Sequence, residues 1–171
     1  ETWHHEPGRF EFERDYIVRD EEGNIIIRAV SSWVLMDIET RHIQKSDIVS
    51  FPPSSFDGER AVDCRLGKLK PFGQLKKVYN KTVGYSDVDV NGHLNNARYI
   101  DFIMDCFDME IHRKFVVRSI EVNFVNEAVP GETLTFYKDV SAMDSGMVYI
   151  EGIDEEKGST VFKALVKIGE V

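Results

Sequence analysis

The stretch "YSDVDVNGHLNNARYIDFIMDCF", residues 85–107, sets three polar, chemically capable side chains, Asp89, Asn91 and His93, at every second position. A strongly apolar helical pattern follows at once. Alternate residues of an extended segment point the same way, so in that reading the three share one face. Asn95 is placed to cap the helix. Behind it Asn96, Ile100, Ile103 and Phe107 form one stripe, with Tyr99, Phe102 and Cys106 beside it. Arg98, Asp101 and Asp105 mark a narrow polar face. So wide an apolar arc suits a helix buried on most sides, with a curved sheet around it.

A helix N-terminus offers unpaired N–H groups and partial positive charge, here near Asn95 and Asn96, where a developing anion is stabilised. Donors aimed at an oxyanion, with groups that activate water, are what hydrolysis of an ester or thioester needs. The same residues also read as a turn, because Asp and Asn are common in turns and Asn-Gly is a strong hairpin signal. Spacing alone leaves both readings open.

Around this stretch the chain is mostly strand. "RFEFERDYIVR" (9–19) alternates Phe10, Phe12, Tyr16 and Val18 with charged neighbours, and "DEEGN" then leads into the β-branched run from Ile25, which predicts a hairpin. Residues 38–72 mix Ser, Gly and a Pro-Pro pair without a sustained period; they read as a connector with one short helix near Thr40–Ser46. A strand is predicted near Leu75, then the helix, then "FVVRSIEVNFV", "ETLTFYKDVSAM", "GMVYIEGID" and "STVFKALVKIG" as an antiparallel meander. "RDEEGNIIIRAVSSWVLMD" resembles "DEEKGSTVFKALVKIG", an internal repeat of strand, acidic turn with Gly, and strand. The chain opens without Met and already in strand-like text, so the expectation is one complete unit preceded by the rear part of another. That divides it into 1–37, strands of a truncated first unit; 38–74, a linker; and 75–171, the complete unit.

The totals narrow the function. With 171 residues, 42% of them hydrophobic and 11% aromatic, the chain can bury a substantial core. A formal net charge of −9 argues against nucleic acid as partner. Lys68, Lys70, Lys76 and Lys77 are grouped in sequence, either as a local basic patch or as a solvated face. There is no membrane-length apolar run. Cys64 and Cys106 form no CxxC pair and read as free thiols in a reducing compartment, hence a cytoplasmic expectation. The five histidines show no ligand spacing, and His4 and His5 read as exposed at a strand end, so no metal and no cofactor is expected. GxSxG, Walker A and GxGxxG motifs are absent. Cys106, about three turns past the cap on the apolar face, reads as structural rather than as a papain-like nucleophile.

"SDVDVNGHLNNARYIDFIMD" resembles the signature of fatty acyl-acyl carrier protein thioesterases, and "RAVSSWVLMDIETR" resembles their first-unit strand and linker. The resemblance implies an α+β double hot-dog fold, each unit an antiparallel sheet wrapped around a long helix. It places the family's D-x-N-x-H motif on Asp89, Asn91 and His93, and a further acidic residue on Glu127. Ala128 stands where plant members carry Cys, so the resemblance implies direct attack by water with Glu127 as base. It also implies an apolar tunnel, with Trp33, Val34 and Met36 as candidate lining, and the acyl carrier protein with its acyl-phosphopantetheine as partner. Sheet edges of this fold pair readily, so a homodimer is compatible with it. Two rivals share these residues: a single-hot-dog acyl-CoA thioesterase of the 4-hydroxybenzoyl-CoA type using Asp89, and a non-catalytic acyl-binding module.

Overall fold

Alternating side chains build two separate antiparallel sheets. The computed structural model describes residues 1–50 and 59–170, and the chain divides into two units, Glu1–Gly67 and Lys68–Val171. The Pro-Pro pair of the expected connector lies outside the described residues.

The first unit is a four-stranded sheet in the order β1 (Thr2–His4), β2 (Glu11–Arg19), β3 (Ile25–Met36) and β4 (Ile43–Gln44). Cross-strand pairs sort its faces. Phe12 opposite Trp33, Arg14 opposite Ser31 and Tyr16 opposite Ala29 share one side. Asp15 and Ile17 point to the other, where Trp3, Ile17 and Ala61 form a small core. Asp15 is fully buried there and accepts the Ala61 N–H at 2.6 Å, while its Oδ2 lies 3.2 Å from His5 Nε2. His5 is thus drawn into the unit, its side chain only 14% exposed, against the expectation of a free strand end. The short helix expected at Thr40–Ser46 does not form. Asp37 takes the Thr40 N–H and hydroxyl, Arg41 turns through a φ of 58°, and Ile43–Gln44 pairs back on Leu35–Met36. One 3-10 turn follows at Ser46–Ile48.

The second unit contains β5 (Lys76–Thr82), α1 (Asn96–Met104), α2 (Met109–Lys114), β6 (Phe115–Phe124), β7 (Thr133–Asp139), β8 (Met147–Asp154) and β9 (Ser159–Glu170). Its five strands run in the order β5-β7-β8-β9-β6. The last three strands form the expected meander, but β6 departs from it and joins the far edge beside β9. Opposite residues of an antiparallel pair share a face, so Ile150, Ala164 and Val122 point inward with Val148, Val166 and Ile120. Against them lie Tyr99, Phe102 and Ile103 of α1, all buried. This is the hot-dog arrangement, with the helix as its filling. Helical bonding stops at Met104, and Cys106 and Phe107 continue the buried stripe in a turn. Asn96, expected on that stripe, is exposed in the first turn. Asp108 then caps α2 through the Ile111 N–H at 2.9 Å, and His112, Arg113 and Lys114 sit favourably against its C-terminal dipole.

The two stretches of the internal repeat are two hairpins. Each turns at a left-handed glycine, Gly23 (φ 87°) between β2 and β3 and Gly158 (φ 63°) between β8 and β9. In each an aspartate holds the turn: Asp20 accepts the Asn24 N–H, and Asp154 accepts those of Glu156 and Lys157.

The outer face of the second sheet carries its own strap. The Leu69 N–H donates to Asn123 Oδ1 of β6 at 2.8 Å, and those of Phe72 and Gly73 donate to Asp139 Oδ2 of β7 at 2.7 and 2.5 Å. With that strand order, residues 69–73 must cross β9 and β8. Beneath lies the buried pair Tyr149 and Glu151, the phenol donating to the carboxylate at 2.6 Å. Burial alone would raise the Asp139 carboxyl, but hydrogen bonds from Ser141, Gly73 and Phe72 outweigh it and hold the group below its ordinary value. A depressed carboxylate stabilises the fold above its unfolded pKa, and that contribution is lost as pH falls through the folded one. Acid unfolding followed by circular dichroism is therefore expected to steepen below about pH 4. Asp139→Asn should cost about 1–3 kcal/mol at neutral pH and flatten that acid limb; an unchanged limb would contradict this role.

Candidate active site

The motif residues are held by a closed loop between β5 and α1. Val88 bridges Leu94 in antiparallel fashion, the Asp89 N–H donates to the His93 carbonyl at 2.9 Å, and the Gly92 N–H returns to the Asp89 carbonyl at 3.0 Å. Gly92 takes a φ of 78°, a left-handed conformation that glycine adopts without strain. Residues 89–93 are therefore a turn rather than the extended alternation that equal spacing suggested. The turn nevertheless ties the motif together. Asp89 Oδ1 accepts the Asn91 N–H at 2.8 Å, and the Asn91 amide reaches Asp89 Oδ2 at 3.5 Å.

A second segment meets this loop. Leu94 donates its N–H to the Ala128 carbonyl at 2.8 Å, and Ala128 is fully buried. Residues 94 and 128 are thereby registered, and their predecessors, His93 and Glu127, project side by side. His93 Nε2 lies 3.5 Å from Glu127 Oε2. Their side chains are 36% and 47% exposed, open enough for water to reach them. The first turn of α1 stands next to the pair. Asn95 is the N-cap, its Oδ1 accepting the Ala97 N–H at 2.8 Å, a contact worth about 1 kcal/mol. Its own N–H donates to the Asp87 carbonyl at 2.9 Å and so is not available to a ligand. Asn96, the first helical residue, carries an N–H that the helix itself cannot satisfy.

Asp87, two residues before Asp89, reads in the sequence as an ordinary turn residue, but the structure gives it a part beside the loop. Its buried carboxylate accepts the Gly84 N–H at 2.8 Å and lies 3.1 Å from Lys81 Nζ. Burial opposes its ionisation, yet the Gly84 N–H, Lys81 and Arg98 together hold its carboxyl below the ordinary range. Tyr99 packs edge-on to Phe124 and Phe162, and burial, reinforced by Glu127 and Glu132, pushes its phenol up to about 12.

Cys106 is not equipped as a nucleophile. It is buried, its thiol bonds the Phe102 carbonyl at 3.5 Å, and burial pushes that thiol up to about 12 despite nearby Lys138. Among the described residues no group of three or more His, Cys, Asp or Glu could hold a metal ion, and no helix is long and apolar enough to cross a membrane. Lys68, Lys70, Lys76 and Lys77 are all exposed, and the last two, successive in β5, face opposite sides.

In the first unit a groove of about 290 Å³ is lined by Phe12, Tyr16, Trp33 and Val34 among others, with His4 and Arg14 at its polar side. Trp33 and Val34 thus line a cavity within that unit, and Met36 does not.

A five-stranded sheet around a short buried helix, with this loop at the helix start, defines a hot-dog protein. The acyl-ACP thioesterase C-terminal domain matches residues 74–168, and the N-terminal domain of the same family matches residues 1–49. The chain belongs to the acyl-ACP thioesterase family. It is 29% identical over 165 residues to a palmitoyl-acyl carrier protein thioesterase of Arabidopsis thaliana, covering 89% of this chain and 39% of that one. To an oleoyl-acyl carrier protein thioesterase of Coriandrum sativum it is 30% identical over 139 residues, covering 74% and 37%. The chain thus spans about two fifths of the length of the curated relatives it matches. Among solved structures, an acyl-ACP thioesterase from Bacteroides thetaiotaomicron superposes with a TM-score of 0.77 at 26% identity, over 98% of this chain and 67% of that one. The 12:0-ACP thioesterase from Umbellularia californica gives 0.77 at 22%, over 99% and 65%, a likeness of fold.

Proposed function

We propose that the chain hydrolyses fatty acyl-acyl carrier protein thioesters to free fatty acid and carrier protein, using Asp89, Asn91, His93 and Glu127. The observation that carries this reading is the 3.5 Å approach of His93 to Glu127 beside the first turn of α1, in a chain of this family. The Asn96 N–H polarises the thioester carbonyl, and Asn91 and His93 position that carbonyl and a water molecule. Glu127 takes a proton as the water oxygen bonds to the carbonyl carbon. The tetrahedral intermediate then expels the phosphopantetheine sulfur, which takes up the proton, and Glu127 is restored. Asp89 acts through the turn, holding Asn91. Ala128 offers no nucleophile, and Cys106 is buried with its thiol pushed up to about 12, so this reading takes water rather than a cysteine as the attacking group.

The partner in this reading is the acyl carrier protein with its acyl-phosphopantetheine. The first-unit groove supports Trp33 and Val34 as residues that touch the acyl chain, since small-molecule sites are apolar with a few polar groups. The edge strands, β1 and β4 of the first sheet and β5 and β6 of the second, are where a second copy would pair. The test is hydrolysis of matched dodecanoyl and hexadecanoyl thioesters of carrier protein and of coenzyme A. Carrier thioesters cleaved in preference support the reading. Cleavage of coenzyme A esters alone moves it to an acyl-CoA thioesterase, and cleavage of neither overturns it for this chain.

A further inference from the structure

Glu127 sits in a loop that leaves β6, and the start of that loop is held by β9 beside an irregularity in its pairing with β8. Between β8 and β9 the register slips: Gly152 pairs with Phe162, but Ile153 pairs with Thr160, so Val161 has no partner on β8. Val161 and Phe162, successive residues, are both buried in the core, as a bulge allows and a regular strand does not. On its other side β9 keeps its ladder with β6, in which Phe124 pairs with Phe162, so the carbonyls of Val161 and Thr160 reach the end of β6. The Val161 carbonyl accepts two N–H groups, from Val125 at 2.8 Å and from Asn126 at 3.0 Å. The Thr160 carbonyl accepts the side-chain amide of Asn126 at 2.7 Å. Asn126 is thus pinned by backbone and side chain to the bulge. Two residues later the Ala128 carbonyl is pinned to Leu94. Glu127 lies between two anchored neighbours.

We propose that Asn126 is a positioning residue that, through the Val161 bulge, aims the Glu127 carboxylate at His93. The proposal rests on Glu127 being the base assigned above. Without the amide anchor the Val125 and Asn126 N–H bonds to Val161 remain but the side-chain bond to Thr160 is lost, and the carboxylate gains freedom to swing from His93 Nε2. Misplacing a reacting group by about 1 Å can cost up to about 100-fold in rate. Asn126 acts here through Glu127, so the loss is expected in kcat rather than KM.

The test is a double-mutant cycle on the full chain with the dodecanoyl and hexadecanoyl carrier thioesters, comparing the parent, Asn126→Ala, Glu127→Gln and the double variant, with Tm recorded for each. Asn126→Ala is expected to lower kcat about 10- to 100-fold, with KM and the folded fraction unchanged. In the Glu127→Gln background the same change is expected to alter kcat by less than about twofold, because the group it positions is already gone. Where Asn126→Ala does not fold, Asn126→Ser takes its place in the cycle. Parent-like kcat in the folded Asn126 variant, an equal loss in both backgrounds, or a loss that follows the folded fraction overturns the positioning role. Glu127→Gln with the parent's activity, or no hydrolysis by the parent, overturns the assignment of the base instead, and this proposal with it.

Discussion

Glu127→Gln is expected to lower kcat for carrier-thioester hydrolysis by about 100- to 10,000-fold, the usual range for loss of a general base. Glutamine keeps the shape of the side chain but cannot take a proton from water. The expectation rests on geometry: Glu127 Oε2 stands 3.5 Å from His93 Nε2, and the Leu94–Ala128 hydrogen bond registers the two segments. The Leu94–Ala128 hydrogen bond does not depend on the carboxylate and the contact with His93 is largely exposed, so the stability cost should stay within about 1 kcal/mol. Steady-state kinetics with thermal unfolding on the same preparation checks both halves. A variant that is folded and retains more than about a tenth of the parent's kcat would remove Glu127 from the role of base.

The largest stability effect is expected at Phe136. Its side chain is fully buried at the centre of the second unit, stacked on Tyr79 at 4.5 Å between ring centroids and edge-on to Phe102 at 5.9 Å. Phe162 lies 5.6 Å away on the neighbouring part of the sheet. One ring therefore joins β5, α1 and β9 across β7. Phe136→Ala removes it from a close-packed interior and should cost about 3–5 kcal/mol. That is a large part of the roughly 5–15 kcal/mol that holds a typical domain together. Urea unfolding of the second unit should show a lower midpoint with little change in slope. A loss below about 1 kcal/mol would mean that the cavity collapses or that this cluster is not the core.

Much of this was legible in the sequence for a local reason. Strands β2, β3 and β5 to β9 announce themselves by alternation and β-branched content, and the Asp–Gly turns of the two hairpins by residues suited to left-handed backbone. The apolar arc of residues 99–107 announced a helix enclosed by a sheet. What stayed hidden depends on partners distant in the chain. Nothing in "FVVRSIEVNFV" says that β6 skips its neighbours to pair with β9, because an edge and a central strand share one local pattern. The Thr40–Ser46 helix lost to a two-residue pairing with Leu35–Met36 that no window of that length contains. Equal spacing of Asp89, Asn91 and His93 suggested an extended face, but Asn-Gly chose a turn, and hydrogen bonds rather than alternation hold the group. The meeting of His93 with Glu127 came from family resemblance alone, for 33 residues of intervening chain leave no sign of it. Asp87 and Asn126 look like ordinary turn residues until the Lys81 contact and the Val161 bulge are seen.

Direct attack by water is the central chemical claim, and one measurement addresses it without relying on any variant. A single turnover of the dodecanoyl carrier thioester in ¹⁸O-labelled water, followed by intact-mass spectrometry of the chain and of the released acid, reports where the oxygen goes. Water attack predicts free dodecanoate carrying one labelled oxygen and a chain whose mass never rises by an acyl group. An acylated chain during turnover, or label left on the Glu127 carboxylate, would contradict it and make Glu127 a nucleophile.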